Sequence, residues 1–137
     1  MIREMTIDDY DGVYQLWTSI QGVGVSPDDT REGVEKYLRR NPTTCFVAEE
    51  SGEIVGVILA GHDGRRGYIY HVAVVENKRG RGVGRELAAS ALAALKEKGI
   101  RKVGLMAFRD NALGNGFWAK QGFDERADLV YRNKEIE

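Results

Sequence analysis

Cysteine is nearly absent from this chain, which has Cys45 as its single thiol. One cysteine cannot form an intramolecular disulfide or supply the several thiolates of a structural zinc site. Cys45 begins the apolar run Cys45–Ala48, which is typical of a small buried side chain rather than of a nucleophile. The two histidines, His62 and His71, do not have the spacing of metal ligands, so no metal site is predicted.

Proline, net charge and long apolar runs are also scarce. With 2 prolines and no low-complexity stretch there is no candidate linker, so we expect residues 1–137 to form a single domain. The net charge of −1 gives no reason to expect nucleic acid or an acidic membrane as a partner. The first residues lack a signal-peptide pattern, and the longest apolar stretch, Ile54–Gly61, is too short to cross a bilayer. We therefore expect a cytoplasmic protein.

The chain does contain alternating strand-like and helix-like segments. Apolar and β-branched runs predict strands at Ile2–Met5, Thr44–Glu49, Glu53–Ala60, Tyr68–Val75, Lys102–Ala107 and Leu129–Arg132. Helical spacing and capping residues predict helices that begin at Thr6, near Asp29 or Thr30, at about Val83 and at about Ala112. A flexible loop is predicted at 22–27, between the first two helices. Early hairpins followed by helical crossovers predict a mixed α/β domain.

A glycine-rich segment between a predicted strand and a predicted helix is the most informative part of the sequence. We call residues 79–84, which read Arg-Gly-Arg-Gly-Val-Gly, the glycine loop. The unpaired N–H groups and positive dipole end of the following helix attract phosphate. Glycines let the backbone approach phosphate oxygens closely, and Arg79 and Arg81 add charged donors. The loop therefore predicts a pyrophosphate site; the alternative is a turn with solvated arginines.

Other phosphate-binding and nucleic-acid-binding motifs fit poorly. A nucleotide-hydrolase loop requires Gly-Lys followed by Ser or Thr, which is absent. A dinucleotide fingerprint requires G-x-G-x-x-G after a first strand, whereas Gly80, Gly82 and Gly84 are spaced G-x-G-x-G and lie beyond the midpoint. An arginine–glycine segment that binds nucleic acid is also disfavoured, because this chain has a single short run of that kind inside a folded domain.

The glycine loop resembles a motif of one enzyme superfamily. Arg79-x-x-Gly82-x-Gly84 is similar to the (Gln/Arg)-x-x-Gly-x-(Gly/Ala) motif of GNAT N-acetyltransferases. The preceding Val72-Ala73-Val74 resembles the family's fourth strand, and Asn111 and Gly122-Phe123 stand where the family often has the same residues. The order of elements is also similar along nearly the whole chain, most of all to small ribosomal-protein N-acetyltransferases.

The resemblance implies a fold and a reaction. The fold would be α/β (α+β), with a mixed, mostly antiparallel sheet splayed between its fourth and fifth strands and flanked by about four helices. Acetyl-CoA would donate its acetyl group directly to a primary amine, which is either a small molecule or a peptide N-terminus. A homodimer and a longer acyl group also remain open. The residues implied in coenzyme binding are Val72, Ala73, Val74, Arg79, Gly80, Arg81, Gly82, Val83, Gly84, Asn111 and Trp118.

The resemblance also implies roles in the acetyl-transfer step. A backbone amide near Val74 would polarise the thioester carbonyl. Many family members carry a Glu base where this sequence has Tyr68, and a phenol is a poor base at neutral pH. A water chain beside Tyr68 and Tyr70 is therefore the expected route for the amine proton. Strand alternation predicts Tyr68, Tyr70 and Val72 on one face and His71, which is more often a packing residue, on the other.

The usual acid of the family is also replaced. Its position, commonly a Tyr, is occupied by Trp118, whose indole cannot protonate the leaving thiolate. Direct transfer remains feasible because a thiolate leaves without much help. Gly114 and Gly116, inside the last predicted helix, suggest a close approach of the backbone to another group such as the coenzyme. The two replaced positions keep open a second hypothesis, a non-catalytic acyl-CoA sensor or interaction module.

Overall fold

The predicted alternation of strands and helices forms in the structure, a computed structural model that describes residues 1–20 and 25–137. The strands are β1 (Ile2–Glu4), β2 (Phe46–Glu50), β3 (Glu53–His62), β4 (Gly67–Val74) and β5 (Val103–Leu105). The helices are α1 (Tyr10–Ser19), α2 (Arg31–Arg40), α3 (Val83–Glu97) and α4 (Ala112–Lys120). Residues 22–24 of the predicted loop lie outside the described residues.

The sheet follows chain order, β1-β2-β3-β4-β5, and its first four strands pair with one another antiparallel. β5 runs parallel to β4 and pairs only with its first three residues, from Gly67 to Ile69. The rest of β4, Tyr70–Val74, has no strand on that side among the described residues. We call this stretch the open edge. The expected mixed, mostly antiparallel sheet with a splay between the fourth and fifth strands is thus confirmed.

A β-bulge interrupts the pairing of β3 with β4. Leu59 pairs with His71, but its neighbour Ala60 pairs with Ile69, so Tyr70 is an extra residue on β4. A bulge of this kind breaks the strict alternation of side chains along its strand. It lies at the point where pairing with β5 has just ended.

The bulge moves His71 to the face that carries the two tyrosines. The rings of Tyr68 and Tyr70 are 4.7 Å apart, and Tyr70 also contacts α2. The imidazole of His71 lies 4.8 Å from the ring of Trp17 on α1, which shares a core with α2. Val72 points to the opposite, α3 face, because it pairs with a β3 residue on that side. The predicted grouping of Tyr68, Tyr70 and Val72 against His71 is therefore wrong, since it assumed an unbroken strand.

Helices cover both faces of the sheet. On one face, α1 and α2 bury apolar side chains at helical spacing against β2, β3 and β4, among them Val13, Trp17, Val34 and Leu38. On the other face, α3 buries Leu87, Ala88, Ala91 and Leu95. At the N-cap of α2, the Thr30 hydroxyl accepts from Gly33 N–H at 3.1 Å, and in the 3₁₀ turn before α1, Thr6 N–H donates to the Asp9 carboxylate at 2.9 Å.

Residues 1–106 and 107–137 form two compact units. The second unit contains α4 and the tail. The predicted strand Leu129–Arg132 is wrong: the tail has no strand, and Leu129, Val130 and Tyr131 are exposed. Alternating apolar residues form a strand only where a neighbouring strand accepts their hydrogen bonds. The single domain over residues 1–137 stays a prediction.

Two further properties concern the described residues alone. None of their helices is long and apolar enough to cross a membrane. Nor do three or more His, Cys, Asp or Glu side chains lie together there in a way that could hold a metal ion.

The thiol of Cys45 is expected to be unreactive in the folded protein. It is 1% exposed, its Sγ donates to the Ala60 carbonyl oxygen at 3.3 Å, and burial raises its pKa to about 12. Because the folded pKa is raised, this thiol contributes stability below pH about 9 that is lost as the pH rises towards 12. A colourimetric disulfide reagent at pH 8 should find no thiol until denaturant is added. Rapid reaction of the native chain would contradict this.

Candidate functional site

The glycine loop joins β4 to α3 through a short 3₁₀ turn, Glu76–Lys78. Two of its residues, Gly80 and Gly82, have φ angles of +80° and +85°. Residues other than glycine rarely adopt this left-handed backbone conformation. Gly82 is also the N-cap of α3, so the loop brings the chain directly onto the start of the helix.

The first turn of α3 presents unpaired backbone donors. Its first internal hydrogen bond runs from Glu86 N–H to the Gly82 carbonyl at 2.9 Å. The amides of Val83, Gly84 and Arg85 therefore have no acceptor within the helix. Together with the positive end of the helix dipole, these amides form an anion-binding site.

Three arginines lie in the glycine loop and in the first turn of α3. Arg79, Arg81 and Arg85 are exposed, and none forms an ion pair with another described residue. Arg79 Nε donates to the Val74 carbonyl at 3.2 Å, so this side chain folds back along β4. The Arg85 guanidinium lies beside Gly82, where an added Cβ would be 3.2 Å from its terminal nitrogen. Arg85 is not part of the glycine loop and was not predicted from the sequence, although it lies in the first turn of the helix that follows the loop.

The open edge of β4 presents further backbone groups. Val75 N–H donates to the Val55 carbonyl at 2.9 Å, so Val75 and alternate residues before it direct their N–H and C=O groups to β3. Val72 and Val74 consequently direct theirs to the side from which β5 has separated. Ala73 is buried in the α1–α2 core and directs its backbone groups to β3. An extended ligand can pair with Val72 and Val74 as an added strand.

An aromatic cluster lies on the α1–α2 face beside the bulge. Tyr70 is 58% exposed, and its ring lies 4.7 Å from that of Tyr68 and 5.7 Å from that of Tyr37. Burial raises the pKa of Tyr37 well above its ordinary value, so its phenol stays protonated at neutral pH. The Tyr37 hydroxyl makes no hydrogen bond to the described residues.

A histidine–carboxylate pair lies next to this cluster. His71 Nε2 is 3.1 Å from Asp29 Oδ1, and the two side chains are 18% and 10% exposed. The sequence favours a packing role for His71 and predicts no link to Asp29. No local sequence signal joins the two, because they lie 42 positions apart and meet only through the fold.

Glu49, on β2, is occupied elsewhere. Its carboxylate accepts a hydrogen bond from Arg3 Nε at 2.9 Å, and the same guanidinium binds Asp9 at 2.8 Å. These contacts direct the Glu49 carboxylate to Arg3 on β1.

Asn111 and Trp118 belong to the second unit. Asn111 Oδ1 accepts from Gly114 N–H at 3.0 Å and caps α4, which leaves its amide nitrogen as the group that can bind a ligand. Trp118 is buried and makes edge-on contacts with Phe117 and Phe123 at 4.8 and 5.1 Å. Gly114 is explained by the cap, since a Cβ there would lie 2.6 Å from the Asn111 amide nitrogen. The close approach predicted for Gly114 is therefore to Asn111.

A family model and a curated relative agree on one family for this chain. The model of the acetyltransferase (GNAT) family matches residues 10–123. An acetyltransferase of Pectobacterium atrosepticum is 32% identical over 135 residues, which cover 98% of this chain and 94% of the relative.

Two solved structures are similar in fold. Ard1 of Thermoplasma volcanium superimposes with a TM-score of 0.81 at 28% identity, and the match covers 93% of this chain and 84% of that one. The aminoglycoside N-acetyltransferase AAC(6')-Iy, solved with the bisubstrate analogue CoA-S-monomethyl-acetylneamine, gives a TM-score of 0.79. That match covers 99% and 98% of the two chains and, at 19% identity, shows the fold alone.

Proposed function

This chain belongs to the acetyltransferase (GNAT) family, and from that premise we propose how it transfers the acetyl group of acetyl-CoA to a primary amine. One observation carries the proposal: the open edge of β4 leads directly into a glycine loop whose amides face outward at a helix start. This arrangement suits a ligand with an extended amide-bearing arm and a pyrophosphate. The relatives are named acetyltransferases, and they give no support to a non-catalytic sensor.

The pyrophosphate of acetyl-CoA is assigned to the glycine loop. Amides from Gly80 to Gly84 would donate to its oxygens, and Arg79 and Arg81 would add charge-assisted bonds. Arg85, whose guanidinium lies beside Gly82, joins this set. Positive charge from both the helix dipole and the arginines favours the doubly charged group.

The pantetheine arm is assigned to the open edge. Its amides would pair with the backbone groups of Val72 and with the N–H of Val74, whose carbonyl already accepts from Arg79 Nε, and Ala73 holds the strand against the core. The amide of Val74 would donate to the thioester oxygen, which gains negative charge as the amine attacks. The coenzyme contacts of Asn111 and Trp118 stay predictions from the family resemblance.

The acceptor is assigned to the face that carries Tyr68 and Tyr70. Tyr70 is the extra residue of the bulge, the Tyr68 ring lies beside it, and Tyr70 is exposed enough to meet a ligand. The neighbour AAC(6')-Iy was solved with an analogue that includes an amine substrate, which supports a small-molecule amine for this chain. A peptide N-terminus, the ribosomal-protein type of acceptor and a homodimer are finer proposals without such support.

Release of coenzyme A thiol from acetyl-CoA tests the function. We expect thiol release above the hydrolysis rate with at least one of a simple alkylamine, spermidine, an aminoglycoside and a tripeptide with a free N-terminus. The same compound with its amine blocked by acetylation should give only the hydrolysis rate, because the nucleophile is gone. Acetyl-CoA binding without amine-dependent release for any of them would favour the sensor hypothesis instead.

A further inference from the structure

Because of the bulge in β4, His71 lies on the opposite face of the sheet from the one predicted for an unbroken strand. Because Tyr70 is the extra residue, His71 shares the α1–α2 face with Tyr70, where the acceptor is placed. Its neighbour Val72 directs its backbone to the open edge, where the pantetheine arm is placed. The Val74 amide, assigned to the thioester oxygen, lies three residues further along β4, about 10 Å at about 3.3 Å per residue, so the acceptor amine would lie between it and the imidazole.

The imidazole is held in one orientation from two sides. Its ring lies 4.8 Å from the fully buried ring of Trp17, and its Nε2 lies 3.1 Å from Asp29 Oδ1. Asp29 is itself fixed. Its Oδ2 accepts from the Ser26 amide at 2.8 Å and the Ser26 hydroxyl at 3.3 Å, and its backbone carbonyl accepts from the Tyr10 hydroxyl at 2.7 Å.

These contacts determine which ring nitrogen carries the proton. An ionised carboxylate only accepts hydrogen bonds, so Nε2 donates to Asp29 and the neutral ring keeps its lone pair on Nδ1. The described residues make no hydrogen bond to Nδ1, and the side chain is 18% exposed. A lone pair that is oriented and reachable is what a general base requires.

We propose that His71 is the proton acceptor of the acetyl transfer and that Asp29 is its positioning residue. This proposal rests on the proposed function and names the base that the replaced Glu position leaves unassigned. The cation formed on His71 would be stabilised by Asp29, as a carboxylate stabilises the histidine of a catalytic triad.

Transfer of a proton to His71 comes before formation of the amide bond. The ammonium form of the acceptor gives one proton to His71 Nδ1, directly or through one water, and becomes a neutral amine. The amine lone pair forms the new C–N bond at the thioester carbonyl, and the C–S bond breaks to release the coenzyme A thiolate. The second nitrogen proton goes to the thiolate, giving the free thiol and the amide. His71 then releases its proton to solvent.

The other titratable groups around His71 are less suited to this role. Tyr10 of α1 donates to the Asp29 carbonyl, and burial raises its pKa. On α2, Tyr37 is held protonated by burial. Tyr68 and Tyr70 of β4 are phenols, which are weak bases at neutral pH. On β3, the residue paired with His71 is the apolar Leu59.

The tautomer is tested first, by nitrogen-15 NMR of histidine-labelled protein. The chain has 2 histidines, so His62→Gln leaves His71 as the only imidazole. His62 lies in the β3–β4 turn, where its Nδ1 accepts from Gly64 N–H at 3.1 Å, and serves as the matched control. We expect the Nε2–H tautomer in this variant, and a mixture of tautomers when Asp29→Asn is added. An Nδ1–H tautomer in the single variant would overturn the proposal.

The rate is tested next, with the amine that gives the fastest thiol release. For His71→Gln we expect kcat/KM for the amine to fall about 100-fold or more at pH 7, with acetyl-CoA binding unchanged. The difference in kcat/KM between His71→Gln and the wild type should become smaller as the pH approaches about 10, where the amine is already neutral. The kcat/KM of His62→Gln should match that of the wild type, and the kcat/KM of Asp29→Asn should fall between those of the wild type and His71→Gln.

The outcomes separate the two proposals. A deficit in His71→Gln that is the same at every pH indicates a structural role and overturns the proposal, as does an unchanged rate. Unchanged acetyl-CoA binding by calorimetry shows that the variant is folded. No amine-dependent release by the wild type would overturn the proposed function itself, and the role of His71 with it.

Discussion

Acetyl-CoA binding should disappear when Gly82 is replaced by tryptophan. Gly82 has a φ of +85°, and any Cβ there points towards the Arg85 guanidinium at 3.2 Å. An indole would fill the space over the amides of the first α3 turn, where the pyrophosphate is placed. We expect the dissociation constant measured by calorimetry to rise at least about 100-fold, a loss of about 3 kcal/mol.

A matched variant separates loss of the site from strain in the backbone. Gly99, at the other end of α3, has a similar φ of +82°, and no other group lies within 4 Å of an added Cβ. Gly99→Trp should therefore suffer a comparable strain of about 1–2 kcal/mol but bind acetyl-CoA like the wild type. Equal loss in both variants would mean that strain in α3, and not occupation of the glycine loop, explains the effect. Tight binding by Gly82→Trp would place the pyrophosphate elsewhere.

The parts of the site that are contiguous in sequence were predictable. The glycine loop follows its strand without interruption, and its chemistry depends on backbone amides and a helix start, which local sequence specifies. Hydrophobic spacing likewise predicted the four helices and the first five strands, because burial of one face fixes that spacing. Strand ends moved by a few residues: β3 reaches His62, and β5 is limited to Val103–Leu105.

The parts that depend on distant pairing were not predictable. The bulge at Tyr70 arises from the register between β3 and β4, and this one-residue shift reverses the face of His71. The contact of His71 with Asp29 joins a strand to a turn 42 positions earlier. The alternation of Leu129–Arg132 looked like a strand only because sequence does not reveal whether a partner strand is present.

Loss of the Trp17 side chain is expected to have the largest effect on stability. Trp17 is fully buried at the centre of the α1 face and lies 4.8 Å from the His71 ring. Truncation to alanine leaves a cavity that the α1–α2 core cannot fill, and we expect Trp17→Ala to lower the free energy of unfolding by about 3–5 kcal/mol. Urea denaturation followed by circular dichroism measures this.

Trp17→Phe shows whether volume or the indole N–H matters. Trp17 Nε1 makes no hydrogen bond to the described residues, and an unpaired buried donor is unfavourable by about 1–3 kcal/mol. Phenylalanine removes that donor and keeps an aromatic ring against His71. We therefore expect Trp17→Phe to lower the free energy of unfolding by less than about 2 kcal/mol. If Trp17→Phe lowers the free energy of unfolding as much as Trp17→Ala does, the indole N–H forms a hydrogen bond in the folded protein. Because the phenyl ring still supports the imidazole, Trp17→Phe should also keep the Nε2–H tautomer, whereas Trp17→Ala leaves orientation of the ring to Asp29 alone.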